Sequence, residues 1–269
     1  MQTKTVRYAA KPEALDYFRR EGLDRYFSVE AEYALSAYDA IDPANKVPYP
    51  PDVDDLVRLH RLIRERRVLT VLEFGVGFST IVMADALAKN KADHEADFLA
   101  EGIRCLYPFS LFSVDADANW IGIVQKNAKC MGGGVNFLHS AVHIGTFHDR
   151  LCHYYDALPD VMPDFIYLDG PAGDQVVGHV DGSSFAGNME RTVMSADLLR
   201  LEPTLTPGTF ILVDGRVNNA RFLRNNFQRE WKMLRDDEAD ITTFELCEPP
   251  LGVHNRRRLK FQGLIGLRA

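Results

Sequence analysis

The sequence is short of cysteine and has no long apolar run. Four cysteines occur in 269 residues, and none forms the C-x-x-C spacing of a zinc knuckle or a redox motif. We therefore predict free thiols, which are typical of a reducing compartment: Cys105, Cys130, Cys152 and Cys247. No apolar run approaches the roughly 20 residues that span a bilayer, and the first residues are too polar for a signal peptide. A cytoplasmic protein without a membrane partner is expected.

An excess of positive charge is also missing. The chain has 31 lysines and arginines against 38 acidic residues, which gives a net charge of −7 and a pI near 5.6. This balance argues against nucleic acid as the main partner. The most notable basic run, residues 256–258, is interpreted as a solvated face. The length suits one large domain or two small ones.

What the chain does contain is a regular alternation of strand and helix patterns after a proline-rich segment. Residues 42–52 are expected to link an N-terminal helical extension (1–50), with a helix over 12–40, to a main domain (51–269). The main domain is predicted to open with a helix over 52–67. Strands are predicted at 68–74, 111–115, 135–138, 164–169 and 209–214. Helices are predicted between or after them at 80–89, 117–130, 188–201 and 217–227.

Alternating strands and helices predict a parallel sheet with right-handed crossovers. The strands are almost continuously apolar, which fits a sheet covered by helices on both faces. The tail instead carries two strand patterns, 241–248 and 258–267, with no helical pattern between them. They are expected to form a hairpin that adds one antiparallel strand. The predicted fold class is therefore α/β, with a doubly wound, mostly parallel sheet.

A glycine turn follows the first strand of the main domain, in the sequence EFGVGFST (73–80). Gly75 and Gly77 permit a tight turn and a close approach of a ligand, and Ser79 or Thr80 is able to cap the next helix. In open α/β sheets, ligands bind at the carboxyl ends of the strands, where this turn lies. Thr80 occupies the position of the third glycine in the nicotinamide fingerprint G-x-G-x-x-G, so that fingerprint is incomplete. A structural turn without a ligand is the alternative.

Glu73 stands two residues before this G-x-G pattern, and residues 52–269 thereby resemble the class I S-adenosylmethionine-dependent methyltransferases. The resemblance implies a Rossmann-like, seven-stranded sheet of order 3-2-1-4-5-7-6, with S-adenosylmethionine as cofactor. It also implies O-methylation of the hydroxyl of a small molecule or a sugar. The closing hairpin supports the resemblance, because it supplies the antiparallel strand.

The same resemblance assigns residues to the cofactor. The cofactor-binding residues of the turn are Glu73, Gly75, Gly77, Ser79 and Thr80. The first three of them are expected to line the methionine part of the cofactor. Asp115 ends the second strand and is expected to accept hydrogen bonds from the ribose hydroxyls, since a carboxylate offers acceptors to both. Ser140 and Ala141 follow the third strand, where the family contacts adenine. A helix cap or a turn is the alternative role for Asp115.

Two apolar strands end in Asp-Gly, at Asp169 and at Asp214. If these strands are neighbours, they lie about 4.8 Å apart, and both carboxylates point into the crevice that receives the methyl acceptor. Two such carboxylates repel each other unless one is protonated or a cation lies between them, and Mg²⁺ prefers oxygen ligands. The pair therefore resembles the site of metal-assisted O-methyltransferases, in which the metal lowers the pKa of the acceptor hydroxyl. Asp169 and Asp214 are thus candidate catalytic residues and metal ligands.

Gly215 departs from that family pattern, because an Asp or an Asn usually follows the acid there. Without a metal, Asp169 is expected to orient the cofactor amine or to act as a base, while Asp214 caps the next helix. In a purely structural role, Asp169 fixes the turn at Gly170 and Pro171.

Several histidines are candidates for a general base, because an imidazole titrates near neutral pH. A cluster lies between the third and fourth strands: His139, His143, His148 and His153. His143 is nearest to the expected strand end, and His179 lies in the glycine-rich loop 170–188, which is predicted to close over the acceptor. Surface or capping roles are the ordinary alternative.

Two functions from other classes remain open. An NAD(P)-binding oxidoreductase shares the fold class, although Thr80 and the closing hairpin count against it. The second possibility is a non-catalytic Rossmann-fold binding protein. The complete set of expected cofactor-binding residues, Glu73, Gly75, Gly77 and Asp115, counts against it. The sequence names no methyl acceptor, and it leaves the formation of a homo-oligomer open.

Overall fold

The computed structural model describes residues 7–26, 32–34, 52–128, 134–188 and 190–265. The predicted linker (42–51), parts of predicted helices (27–31, 35–40, 129–130 and 189) and the end of the predicted closing strand (266–267) lie outside the described residues. The described helices are α1 (Pro12–Arg20), α2 (Val53–Glu65), α3 (Phe78–Ala100), α4 (Ala118–Ala128), α5 (Asp197–Leu201), α6 (Val217–Asn226) and α7 (Gly252–Phe261). None of the described helices is long and apolar enough to cross a membrane.

A seven-stranded sheet forms the centre of the described chain. The strands, in chain order, are β1 (Arg7–Ala9), β2 (Glu32–Ala34), β3 (Thr70–Phe74), β4 (Ser110–Asp115), β5 (Val135–His139), β6 (Val142–Phe147), β7 (Arg150–Tyr155), β8 (Phe165–Leu168), β9 (Val176–Val177), β10 (Phe210–Asp214), β11 (Trp231–Asp236) and β12 (Ile241–Leu246). The main sheet has the order β5-β4-β3-β8-β10-β12-β11, and β12 runs antiparallel to both of its neighbours. This is the predicted order 3-2-1-4-5-7-6, so the predicted fold class is confirmed.

Buried side chains lie on both faces of this sheet, as a doubly wound fold requires. Leu72, Ile166 and Ile211 belong to the apolar cluster on one face, whereas Val71 and Leu212 belong to the cluster on the other. Neighbouring residues of one strand thus enter different clusters. This explains why each central strand is a continuous apolar run in the sequence.

A second, smaller sheet with the order β7-β6-β9 is missing from the sequence prediction. β6 and β7 form an antiparallel hairpin, and β9 pairs with β6 in parallel. The turn residues His148 and Asp149 both have positive φ, +47° and +61°. Tight hairpin turns have this conformation, for which Asn-Gly is the strong sequence signal. His-Asp carries no such signal, so the hairpin is not apparent from the sequence.

The helix predicted over 188–201 is wrong for most of its length, since the described part is helical only at Asp197–Leu201. In the segment just before this helix, the backbone of Ser195 forms hydrogen bonds with a side chain of α6. The N–H of Ser195 donates to Asn219 Oδ1 (2.9 Å), and the Ser195 carbonyl accepts from Asn219 Nδ2 (3.0 Å). These tertiary hydrogen bonds replace helical ones, although the apolar pattern of the segment suits a helix.

The strand predicted over 258–267 is also wrong, because α7 covers its first part. The antiparallel hairpin is real but lies earlier in the chain, in β11 and β12. Asn255 fixes the start of α7 by accepting from Leu251 N and donating to the Pro207 carbonyl, both at 3.0 Å. Leu259 is buried in the helix, so the apolar pattern of this segment reflects helix packing.

Two predicted helices differ in length from the observed ones. The helix predicted over 12–40 ends at Arg20, and β2, which falls in that range, pairs antiparallel with β1. The helix predicted over 80–89 continues to Ala100 in α3. The long segment between the glycine turn and β4 is therefore mostly helical.

The N-terminal helix α1 packs against α2 of the main domain. The hydroxyl of Tyr17 and Nδ1 of His60 lie 2.8 Å apart in a buried hydrogen bond. His60 Nε2 lies 3.0 Å from Asp85 Oδ2 in α3, so three helices share one chain of polar contacts. The domain boundary near residue 51 stays a prediction.

Candidate active site

The glycine turn between β3 and α3 is held by hydrogen bonds to the end of β4 and to α4. Gly75 N donates to the carbonyl of Val114 (2.9 Å), and Val76 N donates to Asp115 Oδ2 (2.8 Å). The indole N–H of Trp120 donates to the Val76 carbonyl. The turn therefore has a fixed backbone course at the sheet edge where ligands bind in open α/β folds.

Gly75 also touches Gly170, which follows β8. Gly75 has a φ of +96°, and a Cβ atom there would lie 2.9 Å from Gly170 N. A Cβ atom on Gly170 would lie 2.6 Å from Gly75 Cα. The turns after β3 and β8 are thus so close that neither position has room for a side chain. This contact explains why a glycine follows Asp169.

Glu73 is fully buried behind the glycine turn. Ser79 Oγ donates to its Oε1 (2.6 Å), while Thr80 Oγ1 (2.7 Å) and Ser113 Oγ (2.6 Å) donate to its Oε2. Burial raises the pKa of Glu73 to about 7, and the three hydroxyl donors oppose part of that rise. Thr80 Oγ1 also accepts from Gly77 N (3.0 Å). Glu73 therefore ties the turn to the start of α3 and to β4.

Asp115 ends β4 beside the turn and is buried. Besides Val76 N, it accepts from Asp117 N (2.7 Å) through Oδ1. Burial raises the pKa of the Asp115 carboxyl, and these backbone donors oppose the rise. Asp117 takes the cap position of α4, since its Oδ1 accepts from Asn119 N (2.9 Å) and Trp120 N (3.2 Å). Each oxygen of Asp115 has a second lone pair for another donor.

The segment after β5 lies directly beside Asp115. Ser140 N donates to the Asp115 carbonyl (3.0 Å), and Ser140 Oγ accepts from Ala157 N (2.9 Å). The carbonyl of Ala141 accepts from Asp156 N (2.9 Å), and Ala141 itself is exposed. The structure thus brings together the residues that the sequence assigns to ribose and to adenine.

Asp169 follows β8 and faces a crevice that water reaches. Its side chain is 53% exposed. It nevertheless lies deep among protein atoms, and burial raises the pKa of Asp169 to about 6. Arg216 opposes this rise, whereas the negative charges of Asp55 and Asp115 add to it. A carboxylate that is enclosed by protein yet open to water is typical of a ligand crevice.

Arg216 joins the segments that follow β8 and β10. Its Nη1 donates to the Pro171 carbonyl (2.9 Å), and its Nη2 donates to the Asp169 carbonyl. Its Nε lies 3.9 Å from Asp169 Oδ1. A permanent positive charge therefore lies next to Asp169, where the sequence suggests a metal ion.

Asp214 ends β10, which pairs in parallel with β8 as predicted. The hydroxyl of Tyr167 donates to Asp214 Oδ2 (2.5 Å). Burial raises the pKa of Asp214 to about 6, and the negative charge of Asp169 adds to the rise. The residue at the cap position of α6 is Arg216, whose side chain makes no cap hydrogen bond. The alternative in which Asp214 caps this helix is therefore wrong.

A third carboxylate, Asp55 in the first turn of α2, belongs to the same acidic group. Asp52 caps the helix by accepting from Asp54 N (3.0 Å) and Asp55 N (3.3 Å), and Arg58 donates to the Asp55 carboxylate. Burial raises the pKa of Asp55 to about 7, and the charge of Asp214 is the next cause. Asp55 is not apparent from the sequence as a residue of the crevice, because an acid in a first helical turn indicates only a favourable interaction with the helix dipole.

The acidic group formed by Asp55, Asp169 and Asp214 does not supply the set of ligands that a metal ion needs. In the part of the chain that the structure describes, no group of three or more His, Cys, Asp or Glu side chains could hold an ion. Arginine side chains lie beside Asp169 and Asp55, and Tyr167 already donates to Asp214. The described side chains therefore do not fit the predicted Mg²⁺ between Asp169 and Asp214.

Of the predicted histidines, His139 ends β5 of the main sheet, and the others lie on the small sheet and the loop beside it. His143 is 51% exposed, and its Nε2 lies 3.2 Å from Asp156 Oδ2. Val177 of β9 pairs with His143, so the loop that carries the exposed His179 runs beside β6. His153 is fully buried, with no hydrogen-bond partner for either ring nitrogen among the described residues. Burial lowers the pKa of His153 to about 3, so this ring is neutral at physiological pH.

Several of the solved structures to which this chain is similar are methyltransferases, whereas no family model and no curated protein matches the chain. One is a Podospora anserina methyltransferase bound to SAH, with a TM-score of 0.47, 11% identity and 89% of each chain covered. An O-methyltransferase from Streptomyces achromogenes in complex with SAM has a TM-score of 0.38 and 16% identity over 88% of this chain and 91% of that one. An O-methyltransferase from Bacillus cereus in complex with SAH has a TM-score of 0.36 and 12% identity over 87% and 91%. With likeness this low, the function rests on the chain's own residues.

Proposed function

We propose that the protein is an S-adenosylmethionine-dependent methyltransferase that methylates a hydroxyl of a small molecule or a sugar. The observation that carries this proposal is the placement of the glycine turn, Asp115 and Ser140 at the adjoining carboxyl ends of β3, β4 and β5. The antiparallel β12 gives further support. An NAD(P)-binding oxidoreductase has less support, because the Thr80 hydroxyl is bonded to Glu73 and Gly77 at the position of the third fingerprint glycine.

In this proposal the cofactor lies across the carboxyl ends of β3, β4 and β5. The backbone of Gly75 and Gly77 approaches the methionine part, because glycine has no side chain to keep a ligand away. The remaining lone pairs of Asp115 accept from the ribose hydroxyls, and residues 140–141 contact the adenine ring. Glu73 acts as a positioning residue through the hydroxyls that it holds at the start of α3.

The acceptor hydroxyl lies at the ends of β8 and β10. Asp169 accepts its proton while the oxygen attacks the methyl carbon in line with the departing sulfur. The new C–O bond forms as the S–C bond breaks, which leaves S-adenosylhomocysteine, the methyl ether and a protonated carboxyl group. A pKa of about 6 leaves Asp169 mostly ionised at neutral pH and makes it a stronger base than an ordinary carboxylate.

The other carboxylates of the crevice act through their charge. Asp214 adds negative charge to the acceptor side, which favours the cationic sulfonium, while Arg58 and Arg216 offset part of the negative charge of this group. In this proposal neither His143, on the paired strand β6, nor the exposed His179 takes the proton of the acceptor, and the loop that carries His179 closes over the acceptor. None of these steps requires a divalent cation, and the described side chains around Asp169 and Asp214 do not fit one.

Transfer of a tritiated methyl group from S-adenosylmethionine to a panel of small hydroxylated compounds and sugars tests this proposal. Asp169→Asn is expected to lower kcat about 100-fold or more, because it removes the base, while leaving cofactor affinity unchanged. Asp174→Asn is the matched control, since Asp174 is an exposed acid in the same loop. Equal kcat values for the two variants would remove Asp169 as the base, and loss of wild-type activity in EDTA would restore the metal.

A further inference from the structure

A second cavity, with a volume of about 840 Å³, lies at the opposite edge of the main sheet. Its lining includes Thr70, the first residue of β3, and residues that precede β4 (103–107) and β8 (160–162). Parallel strands all begin at one edge of a sheet. The cavity is therefore separated from the cofactor crevice by the length of β3, about 16 Å at roughly 3.3 Å per residue.

Arg258 of α7 lines this cavity and is only 7% exposed. A guanidinium has five N–H donors and no acceptor. Among the described residues, Nε of Arg258 has no hydrogen-bond partner, and Nη2 makes one weak contact with Cys105 Sγ at 4.0 Å. The donors of this buried cation are thus largely unsatisfied within the described chain.

Asp164 partly balances the charge of Arg258 but does not satisfy its donors. Asp164 Oδ2 lies 3.8 Å from Arg258 Nε, which is too long for a hydrogen bond. Both Asp164 oxygens already accept, from Leu69 N, Thr70 N and Gln262 Nε2 (2.5–3.3 Å). Because a buried cation without acceptors is unfavourable, an anionic oxygen in the cavity would stabilise this arrangement.

The rest of the lining combines a further cation with apolar side chains. Arg104 is exposed at the cavity, and His254 also lines it, against one acid, Asp160. Large apolar side chains around the opening are left in contact with water: Leu106 (80% exposed), Leu251 (56%), Met162 (43%) and Tyr107 (40%). An apolar rim around a buried cation suits a ligand that has an anionic head and an apolar body.

We propose that this cavity binds a small amphipathic anion. Its carboxylate or phosphate pairs with Arg258, and its hydrocarbon or aromatic body covers the apolar side chains around the opening. The site is separate from the proposed cofactor crevice, and the proposal holds whether or not the protein is a methyltransferase.

Ligand-observed NMR titration of the full chain tests this proposal with three probes that share an eight-carbon chain. Sodium nonanoate and octyl phosphate carry the two candidate anionic heads, and octyl glucoside carries a neutral one. At least one anion is expected to bind ten times or more tightly than the neutral probe, because charge-assisted hydrogen bonds to arginine are strong. Saturating S-adenosylhomocysteine should leave this binding unchanged.

Variants assign the binding to Arg258. Arg258→Gln is expected to weaken anion binding about tenfold or more, whereas Arg256→Gln, on an exposed position of the same helix, should not change it. If Arg258→Gln does not fold, Leu106→Asp at the exposed rim should weaken binding of the same probe by repelling its head and body. Any one of three results overturns the proposal: no anion binding at about 10 mM, equal binding of the neutral probe, or displacement by S-adenosylhomocysteine.

Discussion

Single residues determine how closely the turns of the site approach each other, and Gly170 shows this most directly. A Cβ atom on Gly170 would lie 2.6 Å from Gly75 Cα, so an alanine has to push two turns apart. We expect Gly170→Ala to lower the free energy of unfolding by about 2–3 kcal/mol, as overpacking does elsewhere. Urea denaturation measures this change.

Gly122→Ala in α4 is the matched control for this substitution. Apart from its own helix backbone and chain neighbours, no atom of the described residues lies within 4 Å of a Cβ atom added to Gly122, and its backbone is helical. Alanine there should stabilise the protein by about 0.5–1 kcal/mol. The same effect at both glycines would show that the contact between the two turns is not as close as described.

Glu73 offers a second test at the scale of one side chain. Glu73→Ala leaves the hydroxyls of Ser79, Thr80 and Ser113 without their acceptor, and we expect it to destabilise the protein by about 3 kcal/mol or more. Glu73→Gln retains an acceptor, and the hydroxyls are able to rotate and accept from its amide. Glu73→Gln should therefore lower the free energy of unfolding by less than about 1 kcal/mol, as measured by urea denaturation. Equal losses for both variants would mean that these hydrogen bonds contribute little.

The sequence reveals some site residues and not others, for a physical reason. Gly75, Gly77 and Asp115 belong to short local patterns at strand ends, so the alternation of strand and helix is enough to place them. Asp55 and Arg216 reach the crevice from other elements, and only the packing of the folded chain shows which charges they face. The charges around Asp169 were therefore not predictable from the residues next to it.

At the scale of elements, Arg216 holds the segments after β8 and β10 together. It donates to the carbonyls of Asp169 and Pro171, in the segment that leads into the loop 170–188. We expect Arg216→Gln to lower kcat roughly 10- to 100-fold, because small displacements of reacting groups are costly. Cofactor affinity should change little, since the glycine turn has its own supports.

Arg221→Gln is the control for this prediction, because Arg221 is an exposed arginine on α6. Steady-state kinetics with a saturating acceptor separates kcat from the cofactor KM. A fall in cofactor affinity as large as the fall in kcat would contradict this prediction. It would mean that the glycine turn depends on the same contacts as the segments after β8 and β10.

The elements also show where local patterns mislead. Central strands such as β8 are predictable because burial on both faces leaves a continuous apolar run. The segment before α5 has a helical apolar pattern, yet Asn219 binds the backbone of Ser195 and prevents a helix there. In α7, a short apolar pattern suits a strand as well as a helix. Only tertiary contacts distinguish these cases.

At the scale of the whole molecule, the carboxyls with raised pKa values predict how stability depends on pH. Burial raises the pKa of Glu73, Asp55 and Asp197 to about 7 and that of Asp169 and Asp214 to about 6. Unfolded carboxyls titrate near 4, so the folded chain holds more protons than the unfolded chain between about pH 4 and 7. The stabilisation from these groups is present below pH 4 and is lost as the pH rises through 6 to 7.

Urea denaturation between pH 5 and pH 8 measures this dependence. The free energy of unfolding should fall as the pH rises, and Asp55→Asn should flatten the curve because asparagine does not titrate. The lowered pKa values of the buried His60 and His153 act in the opposite sense below about pH 6.5 and reduce this fall, whereas the lowered pKa of Asp85 acts only in more acidic solution. Stability that rises from pH 5 to pH 8 would contradict the raised pKa values.

The architecture of the whole chain was the most predictable level. The order of the seven strands and the antiparallel direction of β12 are predictable from two features of the sequence. These are the motif that carries the family resemblance and the alternation of strands and helices. The small sheet and the acidic group around Asp55 could not be predicted, because their signals are a two-residue turn and a single charge. Chemistry at the acceptor side therefore depends on features that the sequence pattern does not show.

The most direct test of the account is a calorimetric titration with S-adenosylhomocysteine. We expect one molecule to bind per chain, and Asp115→Asn to weaken binding about tenfold or more by removing a charged acceptor. Asp117→Asn is the matched control and should bind as the wild type does, since asparagine caps a helix as well as aspartate. No binding, equal affinity in both variants, or binding of NADH in place of S-adenosylhomocysteine would contradict the proposed cofactor site.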